Sequence, residues 1–258
     1  MNSRAVFGSG ALCAVLSLLG CTCPCAGNQA TTPAVAAPSA TLDSTAGSVV
    51  AVKTCAGSLI PAANGLVDDS EDNDNRISLL EGRDGYWWDA KDDKGSTIEP
   101  STSITMSEGG AHASKFAVHV TGKTAAQADK AWGAVVGFRL AQGSMYDASR
   151  YAGVSFFAKA GEKSESQVRL KVGDVNTQPD GKVCKEGCYN DFGKDLSLGR
   201  DWQEYKISFA EMKQQEGWGD PRPPAITAGK LIQIAWHMTT PGAEFDVWLD
   251  DIRFLDCQ

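Results

Sequence analysis

The chain has 258 residues and a formal net charge of −8, from 24 Lys and Arg against 32 Asp and Glu. That balance leaves no basic face to neutralise phosphates, which argues against a nucleic-acid partner. With eight Cys, and no stretch beyond the N-terminus apolar enough to cross a bilayer, the composition suits an exported domain closed by disulfides.

Residues 1–20 read as a signal peptide. Arg4 gives a short positive start, and Ala5 to Leu19 form an apolar run that ends in Leu18-Leu19-Gly20-Cys21. The tetrapeptide resembles the lipobox of bacterial lipoproteins. That resemblance implies lipidation of Cys21 and a chain anchored to the cell envelope, at the outer membrane or periplasmic face, without spanning it. An ordinary secretory signal that happens to contain Cys is the alternative. Cys23 and Cys25 are poorer acceptors, because Thr22 and Pro24 precede them where a small residue is needed. Residues 21–55, rich in Ala, Thr, Ser and Pro, bury too little to offset their ordering entropy and read as a flexible tether.

Residues 56–258 carry regular aromatics and recurrent Gly, Pro and Asp turns, with an apolar period of two. Strands are predicted over Ser114–Val120, Ala134–Leu140, Gly153–Lys159, Gln167–Val172, Glu204–Phe209, Leu231–His237 and Phe245–Phe254. Arg169 and Lys171 fall opposite the apolar face of their strand, as Gln233 and His237 do opposite Ile232, Ile234 and Trp236. Phe209–Gln215 reads as one helical piece at an end of the domain. Many short strands and almost no helix predict an all-β fold of two packed antiparallel sheets, a sandwich or jelly roll.

An ordered series of segments then carries a resemblance. It runs from Val67-Asp68-Asp69-Ser70-Glu71-Asp72-Asn73-Asp74 and Gly82-Arg83-Asp84-Gly85-Tyr86-Trp87-Trp88 through Trp132-Gly133, Gly153–Lys159 and Val168–Val172. It continues with Cys184 and Cys188, Gly217-Trp218-Gly219 and Phe245–Ile252. Over about residues 65–255 the chain is similar to family 11 carbohydrate-binding modules and, more broadly, to galactose-binding-like jelly rolls. Where relatives often carry His after the second loop Cys, this chain has Asn190-Asp191-Phe192-Gly193.

The resemblance implies first and last strands lying side by side, with a structural calcium ion shared between those ends. Asp69, Glu71, Asp250 and Asp251 are the carboxylates that would supply its hard oxygen ligands. No EF-hand spacing is present, and the same residues also read as a solvated acidic turn. Setting Cys13 and Cys21 aside leaves Cys23, Cys25, Cys55, Cys184, Cys188 and Cys257, an even set with no zinc-like second pair. The expected bridges are Cys184–Cys188 and, from the adjacency of the domain's ends, Cys55–Cys257.

Of the aromatics, Trp202, Trp236 and Trp248 read as core. Tyr86 and Trp88, near a turn rich in Gly and Asp, read as platforms on which the apolar face of a sugar ring would stack. Arg169, Gln233 and His237 would line the same concave face and bond hydroxyls, although each also reads as an ordinary solvated position. Catalytic signatures are absent: there is no G-x-S-x-G, H-E-x-x-H or phosphate-binding Gly loop. The sequence thus points to a non-enzymatic module that binds an oligo- or polysaccharide. A structural adaptor lipoprotein or a glycoside hydrolase are the alternatives.

Overall fold

The computed structural model describes residues 52–101, 103–126, 130–162 and 164–258. The expected signal peptide, Cys21, Cys23, Cys25 and all of the tether before Val52 lie outside the described residues. The strands are β1 (Leu59–Asp68), β2 (Trp87–Lys91), β3 (Thr97–Glu99), β4 (Met106–Glu108), β5 (Phe116–Lys123) and β6 (Ala134–Arg139). They continue with β7 (Gly153–Ala160), β8 (Gln167–Asp174), β9 (Phe192–Ser197), β10 (Gln203–Ser208), β11 (Leu231–Met238) and β12 (Glu244–Cys257). All the strand pairs are antiparallel. No helix among the described residues is long and apolar enough to cross a membrane.

Two sheets pack face to face. One has seven strands, in the order β10-β7-β12-β5-β3, with β1 added to β12 and β4 to β5; the other has five, in the order β2-β6-β11-β8-β9. Alternation decides which side chains meet between them. Val118, Val120, Val154, Phe156, Val247 and Leu249 of the larger sheet face Trp87, Phe138, Leu170, Ile234 and Trp236 of the smaller, all buried. Phe156 meets the Trp236 ring edge-on across the interface at 5.0 Å between centroids. Each such aliphatic or aromatic side chain contributes roughly 1.5–3 kcal/mol of burial free energy.

β12 is long because it serves two partners on one edge. Its first half, Glu244–Leu249, pairs with β5, and its second half pairs with β1 from Asp68↔Ile252 to Leu59↔Cys257. The changeover is a bulge at Asp250–Arg253, where Asp251 adopts φ +50°. Ahead of β1, Cys55 is joined to Cys257 at the far end of β12, with Cα atoms 5.2 Å apart. The second expected bridge, Cys184–Cys188, is also formed.

Two expectations are corrected. Phe209–Gln215 is not a helix: only Phe209–Glu211 turn, as one 3-10 turn capped by Ser208 Oγ on Ala210 N. Trp202 and Trp248 are not core: Trp248 alternates to the outer face of β12, and Trp202, just ahead of β10, packs edge-on beside it. There they stand in a row with His119 and Lys159. The His119 ring stacks on Trp248 at 3.7 Å, and the Lys159 ammonium lies 4.8 Å from both the Trp202 and the Trp248 rings. The row shields itself laterally, ring against ring and ammonium against ring, without entering the core.

Candidate functional site

The outer face of the five-stranded sheet is built differently. Register places Trp88, Gly137, Ala235, Lys171 and Gly193 in one row across all five strands. The next row holds Ala90, Val135, His237, Arg169 and Asp195. Small residues in the middle strands leave the centre of the face hollow. A Cβ on Gly137 would lie 2.6 Å from the Ala235 methyl carbon, so glycine there lets β6 and β11 present a flat floor.

Over this floor lies a groove of about 930 Å³. Trp88 borders it at the β2 edge and Trp132 at the end where β6 begins. Tyr189 and Trp218, from two loops, border it on the side of β8 and β9. Trp132, Trp218 and Tyr189 are 41, 40 and 55 % exposed, so large apolar surface is grouped around one groove. Disulfide Cys184–Cys188 closes the loop that ends at Tyr189, and Cys188 itself touches the groove. That loop bridges to the Trp218 loop through Glu186 and Asp220.

The polar groups of the groove are already tied to one another. Arg139 pairs with Asp180 at 2.5 Å. Lys171 Nζ donates to the Tyr189 carbonyl at 2.8 Å and lies 3.6 Å from the buried Asp191 carboxylate. Burial pulls the Lys171 amine below its ordinary pKa, and Asp191 opposes this. Asp191 also accepts from Thr177 Oγ1 and Gln178 Nε2, both at 2.7 Å, and Gln233 Nε2 lies 3.5 Å from it. His237 Nε2 lies 2.6 Å from the Trp132 carbonyl, which can only accept, so Nε2 carries the proton. Burial, then the charges of Lys171 and Arg169, push the His237 pKa down to about 4. The ring is therefore neutral at neutral pH, and its Nδ1 is an acceptor.

Of the expected ligand-binding residues, Trp88, Gln233 and His237 line the groove. Arg169 shares their face but is buried, with its guanidinium on Asp195 Oδ1 (2.9 Å) and the Lys213 carbonyl (2.6 Å). Tyr86 does not line the groove. It lies one residue ahead of β2, where the chain at Arg76 pairs with it and the Arg76 guanidinium covers its ring at 5.0 Å. Lys171, which parity puts on the polar face with Arg169, Gln233 and His237, lines the groove too; the sequence gives no role to Tyr189 or Gln178 and does not single out Trp132 or Trp218. A signal for the rim was present: Trp132-Gly133, Cys188-Tyr189 and Gly217-Trp218-Gly219 put aromatics in turns, outside any strand that would carry them into a core.

The acidic residues at the two ends of the domain meet in part. Glu71 Oε1 accepts from Lys115 N and Phe116 N, and Asp250 Oδ2 accepts from Ala111 N, so both hold one loop. Asp69 instead closes a turn on Glu71 N, and Asp251 is paired with Arg253 at 2.8 Å. Among the described residues no three His, Cys, Asp or Glu side chains converge as a metal-binding group. Burial raises the Asp250 pKa to about 7; its bonds from Ala111 and Asp251 N–H oppose this, and the charges of Asp251 and Glu71 add to it. Ser70 Oγ, next to Glu71 in the chain, is buried without a hydrogen-bond partner.

The solution structure of CtCBM11 aligns with 77 % of this chain and 99 % of its own, at 14 % identity and a TM-score of 0.51. The chain has the jelly-roll fold seen in that module. A family 11 carbohydrate-binding module of a Clostridium thermocellum cellulosomal cellulase aligns at 13 % identity, covering 76 % of this chain and 98 % of its own, with a TM-score of 0.47. The Clostridium thermocellum family 11 module in complex with a β-1,3-1,4-mixed-linked tetrasaccharide aligns at 12 % identity with the same coverage and TM-score. No protein-family model and no curated protein matches the chain.

Proposed function

We propose that this chain is a non-catalytic carbohydrate-binding module, held at the cell envelope by a lipid on Cys21, and that the groove on its five-stranded sheet binds an oligo- or polysaccharide. The observation that carries the reading is the rim of aromatics around a floor of small residues, with Trp132, Tyr189 and Trp218 exposed and Trp88 half-buried. Indole and phenol faces receive the C–H face of a pyranose, while Gln178, Gln233 and His237 Nδ1 meet hydroxyls. The internal pairing of Arg139 and Lys171 favours an uncharged chain. The jelly-roll likeness to CtCBM11 agrees with this.

A glycosidase needs two carboxyl groups flanking the scissile bond. Among the described residues that line the groove, Asp180 is the one carboxylate, and it is paired with Arg139. This favours binding over hydrolysis, and the aromatic rim favours a glycan ligand over an adaptor role. Isothermal titration of the full chain, in detergent, against soluble glucans, xylans and mannans tests the reading. Saturable binding that strengthens with chain length supports it; no heat with any glycan removes it.

We also propose a structural calcium ion between Glu71 and Asp250, where the unpartnered Ser70 hydroxyl and two carboxylates of like charge would gain a cation. The ion would tie the turn after β1 to the bulge of β12. Chelator should then lower the melting temperature of the full chain, and added calcium should restore it; a melting temperature indifferent to both removes the ion.

A further inference from the structure

The two loops that bring Trp132 and Trp218 to the groove are each organised around one buried polar side chain that does not line the groove. For Trp132 it is Asp92, at the end of β2. Its Oδ2 accepts from Trp132 N (3.0 Å) and Gly133 N (2.7 Å), and its Oδ1 from Lys94 N (2.9 Å) and Ser96 N (3.4 Å). Asp92 N donates in return to the Gly133 carbonyl at 3.0 Å. Burial would raise the Asp92 carboxyl, but the bonds from Gly133, Lys94 and Ser96 outweigh it and hold the pKa at about 2. Gly133 sits at φ +91°, and a Cβ there would lie 2.1 Å from the Met238 carbonyl oxygen. With His237 on its carbonyl, the Trp132 backbone is fixed through both its N–H and its C=O.

For Trp218 the organiser is Asn190. Its Nδ2 donates to the Trp218 carbonyl (2.7 Å) and the Gln215 carbonyl (2.9 Å), and its Oδ1 accepts from Gln215 N (2.9 Å). Every hydrogen bond of that side chain goes to the loop that carries Trp218. Asp92 and Asn190 are 3 and 2 % exposed, and neither lines the groove.

We propose that Asp92 and Asn190 are positioning residues: each sets one rim tryptophan in its ligand-ready place, and each acts on binding only through that ring. An exposed ring on a loose loop would have to be ordered when ligand arrives, at a cost of about 0.5–1.5 kcal/mol for each such side chain. Fixing the backbone beforehand removes part of that cost. The carboxylate is required at position 92 because all four of its partners are N–H donors; an amide would set two hydrogens against two of them. At position 190 the requirement is reversed, since two carbonyls need a donor and one N–H an acceptor, which an amide alone among the short side chains supplies.

The proposal rests on the glycan-binding reading, so its test has one arm that needs no ligand. In the free full chain, amide hydrogen exchange is measured for Asp92→Asn and Asn190→Asp, together with relaxation of the tryptophan indole N–H groups. Asp92→Asn should speed exchange at Trp132 and Gly133 about tenfold or more and loosen the Trp132 indole while leaving Trp218 as in wild type; Asn190→Asp should do the converse. In the second arm, glycan affinity is measured in a double-mutant cycle. Asp92→Asn should weaken binding severalfold in the wild-type background and not at all in Trp132→Ala, and Asn190→Asp should behave in the same way with Trp218→Ala. Asp92→Ser, which keeps one acceptor, replaces Asp92→Asn if that variant does not fold. Unchanged exchange at Trp132, loosening of both rings by either substitution, or an affinity loss that persists in full without the ring overturns the assignment. Absence of glycan binding by the wild type removes the glycan reading alone, and the exchange arm then decides the positioning.

Discussion

The two outer faces of this sandwich carry a similar stock of aromatic side chains and do different things with them. On the seven-stranded sheet, His119, Trp248, Lys159 and Trp202 stand shoulder to shoulder, so ring faces and ammonium satisfy one another. His119 is tied further to Asp246 at 2.9 Å. On the five-stranded sheet the middle strands present Gly137, Val135 and Ala235, edge strand β2 adds Ala90, and the rings stand around the rim, Trp132 tilted against His237 at 5.8 Å. An aromatic residue at the surface is therefore not by itself a platform. What distinguishes the binding face is that its aromatic rings are spread around a small floor, with Trp132 only tilted against His237, and are not stacked in a row.

The disulfides give the largest expected contrast. Cys55–Cys257 closes almost the whole domain, its ends 202 positions apart in sequence, and Cys184–Cys188 joins positions four apart. In the chain-entropy model these loops contribute about 5 and about 2 kcal/mol to stability. Replacing Cys55 and Cys257 by Ser should lower stability strongly and, in the remaining folded protein, leave glycan affinity alone. Replacing Cys184 and Cys188 should cost far less stability but weaken binding, because that loop carries Tyr189. Chemical denaturation and titration of the same two variants check both halves.

Single rings should separate the faces next. Trp248→Ala removes the partner of both His119 and Lys159 and should destabilise by about 2 kcal/mol, somewhat below the range for fully buried aromatics, with affinity unchanged. Trp132→Ala should leave stability within about 0.5 kcal/mol and reduce affinity about tenfold, equivalent to about 1.4 kcal/mol. Trp132→Ala destabilising as much as Trp248→Ala does would erase the distinction.

The effect that vanishes at neutral pH is the pH dependence at the floor. The His237 pKa in the folded chain is about 4, below the ordinary 6.5, so the folded state binds its proton later than the unfolded state does. The sign follows by linkage: His237 costs nothing above pH 6.5, and stability falls as the pH drops from 6.5 towards 4. Glycan affinity should stay level from pH 8 to about 5 and decline near pH 4, when the ring protonates and Nδ1 ceases to accept. His237→Gln, which does not titrate, should flatten both profiles; a binding step near pH 6.5 would show that the ring is not buried as described.

The sheet framework was legible in the sequence because strand periodicity is local. Each of the seven predicted strands is present, shifted by a few residues at its ends. β1 to β4 and β9 were not read. β3 and β4 have only three residues each, too few to show alternation. Parity correctly put Gln233 and His237 on an outer face, but parity cannot say whether a neighbour occupies the side chain there. Arg169 has the right parity and is bound to Asp195, and Trp248 has outward parity and is covered by His119 and Lys159. Tyr86 was misplaced for a similar reason, since Arg76 reaches it from ten residues away. The rim residues Trp132 and Trp218 depend on loop packing through Asp92 and Asn190, and Tyr189 on its N–H to the Thr177 carbonyl, none of which has a period to read.

The seven tryptophans make the central claim directly testable, since each indole N–H gives its own signal in a nitrogen-resolved NMR spectrum of the full chain. A glycan that gives saturable heat in titration is added stepwise and the indole signals are followed. The account predicts that Trp88, Trp132 and Trp218 shift together along one binding curve while Trp87 and Trp236 in the core, and Trp202 and Trp248 on the opposite face, stay in place. Shifts centred on Trp202 and Trp248, with the groove tryptophans unmoved, would contradict it.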